Sequence, residues 1–136
     1  MAHEVVRAWL AAVDTDLKAA RNCIDGPEPT IAAAAYHCQQ AAEKLVKAAL
    51  VSSGVHPRKA HDIGVLLDEL GAHPLRAKFA PLARLTPFFW VFRYPGPTPS
   101  DIPAEPLRED VESWLGEIAT ARNELDAILD RAGSKD

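Results

Sequence analysis

The stretch TIAAAAYHCQQAAEKLVKAALVSSG, residues 30–54, decides the fold class. It is rich in alanine, and as a helix it is apolar around most of its circumference. Its polar side chains form one narrow stripe, because four of them fall one, four, five and eight positions after the first. These are Gln39, Gln40, Glu43, Lys44 and Lys47. We therefore expect a central helix, packed by neighbours on several sides, with Thr30 able to cap its start.

Helical spacing also marks the segments on both sides of this stretch. Apolar residues recur at intervals of three and four over residues 6–24, and the Asp-Gly-Pro sequence at 25–27 ends that helix. A shorter helix is predicted over residues 61–70. Asp62 lies near its start, where a negative charge suits the helix dipole.

Two more helical segments complete the chain. Residues 75–93 are apolar at helical spacing but contain Pro81 and Pro87, which predicts a kinked helix or two shorter ones. A last amphipathic helix is predicted over residues 105–132, with Pro106 in its first turn.

No segment alternates with a period of two, and nothing repeats at intervals of roughly 20–50 residues. We therefore predict an all-α protein, a single domain over residues 1–136 built as an up-and-down bundle of four to five antiparallel helices. The connection over residues 94–104 is the exception to the short loops of such a bundle, because it is long and rich in proline. Connections of this kind are more often functional or mobile than plain connectors.

Charge is distributed unevenly along the chain. The net charge is −4, yet basic residues outnumber acidic ones over residues 56–93 and acidic ones dominate residues 94–136. This balance does not resemble a general DNA-binding protein, although a local anion site remains open. No apolar run approaches the roughly 18 residues that a membrane span needs. The N-terminus lacks a signal-like segment, so we expect a cytoplasmic protein with no membrane contact.

Common signatures of metal, cofactor and nucleophile sites are missing from the sequence. No His and Glu stand four apart on a helix, as zinc and di-iron sites require, and no glycine-rich phosphate loop or G-x-S-x-G occurs. Cys23 and Cys38 are too few for a disulfide framework and are interpreted as small core residues. We expect no metal and no cofactor.

The polar stripe is the first of three candidate features. Lys44 and Lys47 could bind a phosphate group. The alternative is structural, because Glu43 and Lys47 form a favourable pair four residues apart and Gln40 can bond a neighbour.

The second and third features lie at helix ends. In KAHDIGVLLDEL, His61 could transfer protons, or it could donate to a neighbouring carbonyl while Asp62 accepts from exposed amides. Arg93 could serve only to close its helix, but with Tyr94 it also makes a good platform for a phosphate and a base.

Three motifs, in this order and ahead of an amphipathic helix, resemble the HEPN domain family. They are YHCQQAAEKLVKAALVSSG, HDIGVLLDEL and RYP. The resemblance covers nearly the whole chain, from about Trp9 to Leu129. It implies a short five-helix bundle that is commonly a homodimer. It also implies a minimal nucleotidyltransferase as a partner protein, with the two often forming a toxin–antitoxin module.

Many members of this family are metal-independent ribonucleases with an arginine followed, four to six residues later, by a histidine. Arg93 occupies the place of that arginine, but no histidine follows His73. The chain therefore resembles the RYP branch, and the resemblance implies a non-catalytic module that binds a nucleotide or an RNA phosphate. The site residues expected for it are Arg93, Tyr94, Lys44, Lys47, His61 and Asp62.

Two alternatives stay open. One is a ribonuclease toxin in which His61 or His56 replaces the missing histidine. The other is a scaffold in which the same residues only stabilise the bundle.

Overall fold

The computed structural model describes residues 2–93 and 104–133, with side chains over 3–90 and 104–132. The helices are α1 (Ala2–Asp25), α2 (Ile31–Ser52), α3 (Ile63–Leu70), α4 (Arg76–Phe79), α5 (Phe88–Arg93) and α6 (Arg108–Gly133), with a 3₁₀ helix (Ala80–Leu85) between α4 and α5. The described residues contain no strand. The predicted all-α bundle is confirmed. The proline-rich connection expected over 94–104 lies, up to residue 103, outside the described residues.

Helix α2 lies at the centre of the bundle. It packs against α1 most extensively, and also against α3, α5, α6 and the 3₁₀ helix. Six of its alanines are fully buried, and their small side chains let the neighbouring helices approach closely: Ala34, Ala35, Ala41, Ala42, Ala48 and Ala49. The central position predicted from its apolar circumference is confirmed.

The N-terminal ends of α2 and α3 differ in their capping. Helix α2 begins directly after Thr30, but the Thr30 side chain makes no capping hydrogen bond, so the expected cap is not formed. The backbone N–H of Thr30 donates to the Cys23 carbonyl over 2.9 Å. Helix α3 is capped by Asp62, whose carboxylate accepts from the N–H groups of Gly64 (2.9 Å) and Val65 (3.3 Å). The predicted acceptor role of Asp62 is therefore confirmed.

The two prolines of residues 75–93 divide that segment as expected. Pro81 lies in the 3₁₀ helix and Pro87 directly precedes α5, so neither interrupts a regular helix from within. Leu82 and Leu85 of the 3₁₀ helix are fully buried. The turn between these helices also contacts α3, because the Thr86 hydroxyl accepts from the Ile63 N–H over 3.1 Å.

Helix α6 starts later than the sequence predicted. It begins at Arg108, so Pro106 precedes the helix and does not lie in its first turn. The physical reason is the Asp110 carboxylate, which reaches back and accepts from the Leu107 N–H over 3.0 Å. That bond makes residue 107 the cap of the helix.

Ion pairs join the two terminal helices along their length. Arg122 of α6 binds both carboxylate oxygens of Asp14 over 2.9 Å, and Arg108 binds Asp25 over 2.8 Å. Arg7 near the start of α1 binds Asp126 near the end of α6. This pairing makes α1 and α6 antiparallel. No described helix is long and apolar enough to cross a membrane.

Removing a core side chain from α2 should lower stability strongly. Leu45 is fully buried at the centre of the bundle. We expect Leu45→Ala to lower the free energy of unfolding by about 2–5 kcal/mol, through lost burial and the cavity left behind. Urea denaturation followed by circular dichroism measures this change.

Leu107→Ala is the matched control, because it is the same substitution at a side chain that is 60% exposed. Its cost should stay below about 0.5 kcal/mol. Equal losses for the two variants would show that α2 is not the centre of the core.

Candidate functional site

The polar stripe of α2 lies largely inside the protein. Gln39, Glu43 and Lys47 are buried, at 0%, 3% and 8% exposure, whereas Gln40 and Lys44 are partly exposed. Trp9 of α1 covers one end of the stripe, with its ring centroid 5.9 Å from the Lys47 ammonium. Three charged or polar groups on the central helix therefore have to be satisfied within the bundle.

Glu43 is the hub of these contacts. Its Oε2 accepts from Lys47 Nζ over 2.9 Å, and its Oε1 accepts from Gln39 Nε2 over 3.1 Å. The same Oε1 lies 3.1 Å from His61 Nδ1. Because a carboxylate can only accept, Nδ1 must carry the proton in this contact. We call Gln39, Glu43, Lys47 and His61 the Glu43 cluster.

His61 links the Glu43 cluster to α5. Its ring stacks on that of Phe89, with centroids 3.9 Å apart and planes inclined by 17°. Its backbone carbonyl accepts from Gln39 Nε2 over 3.3 Å. The sequence interpretation in which His61 donates to a carbonyl was wrong, because the buried Glu43 carboxylate takes that bond. The His61 side chain is 49% exposed, although one face of its ring stacks on Phe89.

A second cluster repeats this chemistry between α1 and α2. Asp16 of α1 is 7% exposed; its Oδ2 accepts from Lys44 Nζ over 2.6 Å, and its Oδ1 lies 3.1 Å from His37 Nδ1. We call Asp16, His37 and Lys44 the Asp16 cluster. The rings of His37 and Tyr36 meet edge to face at 5.5 Å, and Tyr36 lies 6.4 Å from Phe89. Aromatic rings thus connect the two clusters.

Sequence reasoning missed Asp16 and His37, although a signal for Asp16 was present. Asp16 stands three residues after Val13 and four before Ala20, both buried on the apolar face of α1. An acidic residue at such a position has to find a partner inside the bundle. Nothing comparable marks His37, whose role depends on which face of α2 meets α1.

The six residues expected at the site are distributed over several places. Lys47 and His61 meet at Glu43, whereas Lys44 belongs to the Asp16 cluster. The Asp62 carboxylate caps α3. Arg93 is the last residue of α5, one helical turn after Phe89, and Tyr94 lies outside the described residues.

Two further titratable groups have structural roles. Burial raises the pKa of the Cys38 thiol to about 12, so the thiol stays protonated at neutral pH and is a poor nucleophile. Burial lowers the pKa of His73, whose Nδ1 accepts from the Leu75 N–H over 3.0 Å. In the part of the chain that the structure describes, no group of three or more His, Cys, Asp and Glu residues could hold a metal ion.

Removing the charge of Glu43 should lower the free energy of unfolding far more than removing the charge of a surface carboxylate. Glu43→Gln keeps the shape of the side chain but leaves the buried Lys47 ammonium without an anion. We expect the free energy of unfolding to fall by about 3 kcal/mol. Chemical denaturation of the variant and of the wild type measures this loss.

Glu117→Gln is the matched control, since the Glu117–Arg84 pair is exposed on both sides and should be worth less than about 1 kcal/mol. Adding Lys47→Met to Glu43→Gln should recover most of the lost stability, because no buried charge then lacks a partner. Similar losses in the two single variants would contradict the role assigned to Glu43.

Comparison with models of protein families identifies the family of this chain. The model of the HEPN domain matches residues 6–126, which include both clusters and most of α6. Neither the curated proteins nor the solved structures gave a match. Because the family model covers most of the chain, from the first turns of α1 to the last turns of α6, this protein belongs to the HEPN domain family.

Proposed function

We propose that this HEPN domain is a non-catalytic module that binds the phosphate of a nucleotide or of RNA at the C-terminal end of α5. The observation that carries the proposal is the stacking of His61 on Phe89. It joins the His-Asp-Ile motif to the helix that ends at Arg93, so two motifs some 30 residues apart in sequence come together in the fold.

The side chains of Arg93, Tyr94 and His61 have the chemistry to bind a nucleotide or an RNA phosphate. Position 93 follows Phe89 by four residues and therefore falls on the same side of α5, about 6 Å further along. An arginine supplies a planar guanidinium that can bind phosphate oxygens in pairs, and Tyr94 adds a ring for a base. His61 contributes an imidazole whose Nδ1–H donates to Glu43, which leaves Nε2 as an acceptor for a hydroxyl group of the ligand.

Lys44, Lys47 and Asp62 support the site less directly. Each lysine already has a carboxylate partner: Asp16 for Lys44 and Glu43 for Lys47. A phosphate would therefore have to share the lysine with that carboxylate. Direct contact between these lysines and a phosphate stays a prediction. We assign them, with Asp62, to holding His61 and the surrounding helices in position.

The partners that we propose follow from family membership. HEPN domains often dimerise, and we propose a homodimer that also binds a minimal nucleotidyltransferase. Trp90 of α5 supports an interface near the site, because it is 46% exposed although it is large and apolar. Mass measurement by light scattering at micromolar concentration tests the dimer.

Replacing Arg93 should weaken ligand binding without unfolding the protein. Arg93→Ala removes a charge-assisted hydrogen-bond donor, which predicts about a tenfold loss of affinity for a short fluorescent RNA. Fluorescence anisotropy measures the affinity, and thermal melting of the same samples measures stability.

Arg84→Ala is the matched control, because it removes an exposed arginine whose partner, Glu117, lies on α6. It should bind RNA as the wild type does. Undetectable binding by the wild type, or equal affinity of wild type and Arg93→Ala, would reject the site. A lower melting temperature with unchanged binding would instead support a scaffold.

The Glu43–His61 pair favours one alternative, a metal-independent ribonuclease. A carboxylate that orients a histidine beside an arginine-bearing helix resembles an acid–base arrangement. This alternative predicts RNA cleavage in the presence of EDTA, a cyclic phosphate on the product, and loss of cleavage in His61→Ala. Absence of cleavage above background at high protein concentration would exclude it.

A further inference from the structure

A histidine side chain holds the turn that joins α3 to α4. The turn covers residues 71–75, between the end of one helix and the start of the other. The Nδ1 atom of His73 accepts from the Leu75 N–H over 3.0 Å. The Leu75 carbonyl in turn accepts from the Phe79 N–H over 3.0 Å. His73 therefore fixes the residue on which the single turn of α4 begins.

The His73 ring is partly buried and uncharged in this turn. Leu75 is 7% exposed, Phe79 is fully buried, and the Phe79 ring stacks on that of His73 with centroids 6.0 Å apart. Because Nδ1 accepts a hydrogen bond, it carries no proton, and the proton of the neutral ring lies on Nε2. Burial lowers the pKa of this imidazole below its usual value of 6.5. Both the position of the ring and its hydrogen bond therefore oppose a positive charge.

The charged side chains around this turn offer no anion to a protonated ring. The Arg76 guanidinium binds the carbonyls of Leu67 and Gly71, so a cation already lies at the end of α3. The acidic groups of α3, and of α6 where it packs against α4, have basic partners: Asp68 with Arg76, Glu69 with Arg58 and Glu124 with Lys78. Arg131, two turns further along α6, is another cation. Among the described side chains, no carboxylate pairs with the His73 ring.

We propose that this turn is an acid-sensitive switch: protonation of His73 releases the Leu75 N–H and with it the start of α4, while the helices around α2 stay folded. A protonated Nδ1 would point its own hydrogen at that N–H, so the bond is lost and two donors face each other. A helix of one turn is not stable by itself, so α4 depends on how its first residue is held. Opening of the turn would expose Phe79, which is fully buried while the turn is closed.

The direction of the pH effect follows from the two states of the turn. In the open state the His73 ring is solvated and has its usual pKa of 6.5, whereas the closed state lowers that pKa. The open state therefore binds more protons in the acid range, and opening becomes easier as the pH falls below about 6.5. At higher pH the ring is neutral in both states and the turn stays closed. The inference goes beyond the proposed function, because it needs no ligand.

Amide hydrogen exchange of ¹⁵N-labelled protein, followed by NMR at two pH values, tests the proposal. After correction for the intrinsic exchange rate, protection of the Leu75 amide should fall about threefold or more between about pH 7 and about pH 5. The amide of Leu45 in α2 should keep its protection. The His73 ring should titrate over the same range, with a midpoint below 6.5. The carbon shifts of labelled imidazole measure that midpoint.

His73→Asn is the matched variant, because an asparagine side chain can accept from the N–H two residues on but does not take up a proton in this range. Protection of the Leu75 amide should then be the same at both pH values. His56→Asn is the control, since His56 is exposed on the loop between α2 and α3, and it should show the same acid loss as the wild type.

His73→Ala removes the acceptor and should leave the Leu75 amide weakly protected at both pH values. Wild-type protection in that variant would overturn the inference. So would unchanged protection of Leu75 in the wild type, an equal acid loss in His73→Asn, or an equal acid loss at Leu45. A midpoint of the His73 titration at or above 6.5 would overturn it without any variant.

Discussion

A carboxylate buried in the central helix must be neutralised and hydrogen-bonded where it lies, and much of this bundle is arranged around that requirement. Glu43 takes a lysine from its own helix, an amide from the turn before, and a histidine from the loop that leads into α3. Since that histidine stacks on Phe89, the position of α5 depends on the same carboxylate. Removing one partner of such a group costs several kcal/mol, whereas the intact set is nearly neutral in stability. Its main effect is therefore to fix how the helices fit together.

The two carboxylate clusters share one design, and this has a consequence for function. In each, one oxygen binds a lysine and the other faces a histidine: Lys47 and His61 at Glu43, Lys44 and His37 at Asp16. The lysine charges are thus balanced inside the protein. What remains toward solvent is imidazole and aromatic surface, which makes the stripe a support for a ligand site more than a cationic surface in its own right.

Much of the fold could be predicted from the sequence, but only part of the candidate site. The spacing of apolar residues predicted the helices, and the alanines of α2 predicted its central position, because both depend on local pattern. Pro106 was misleading, since the Asp110 side chain, not proline, sets the start of α6. The periodicity predicted that Gln39, Glu43 and Lys47 share a face, but not that Trp9 and His61 cover it. Contacts such as Asp16 with His37 require the packing of two helices, which no single segment specifies.

The ion pairs between α1 and α6 bear on how this domain can be connected to other chains. Because Arg7 meets Asp126 and Arg108 meets Asp25, the start of α1 and the end of α6 lie at the same end of the bundle. Chain ends that lie close together can be joined by a short linker, or opened into the loop of a host protein, without disturbing the core. The domain is thus suited to insertion and to circular permutation, with new ends placed in an exposed loop such as the one between α1 and α2. A cut in such a loop leaves the buried helix α2 and the antiparallel pairing of α1 and α6 intact.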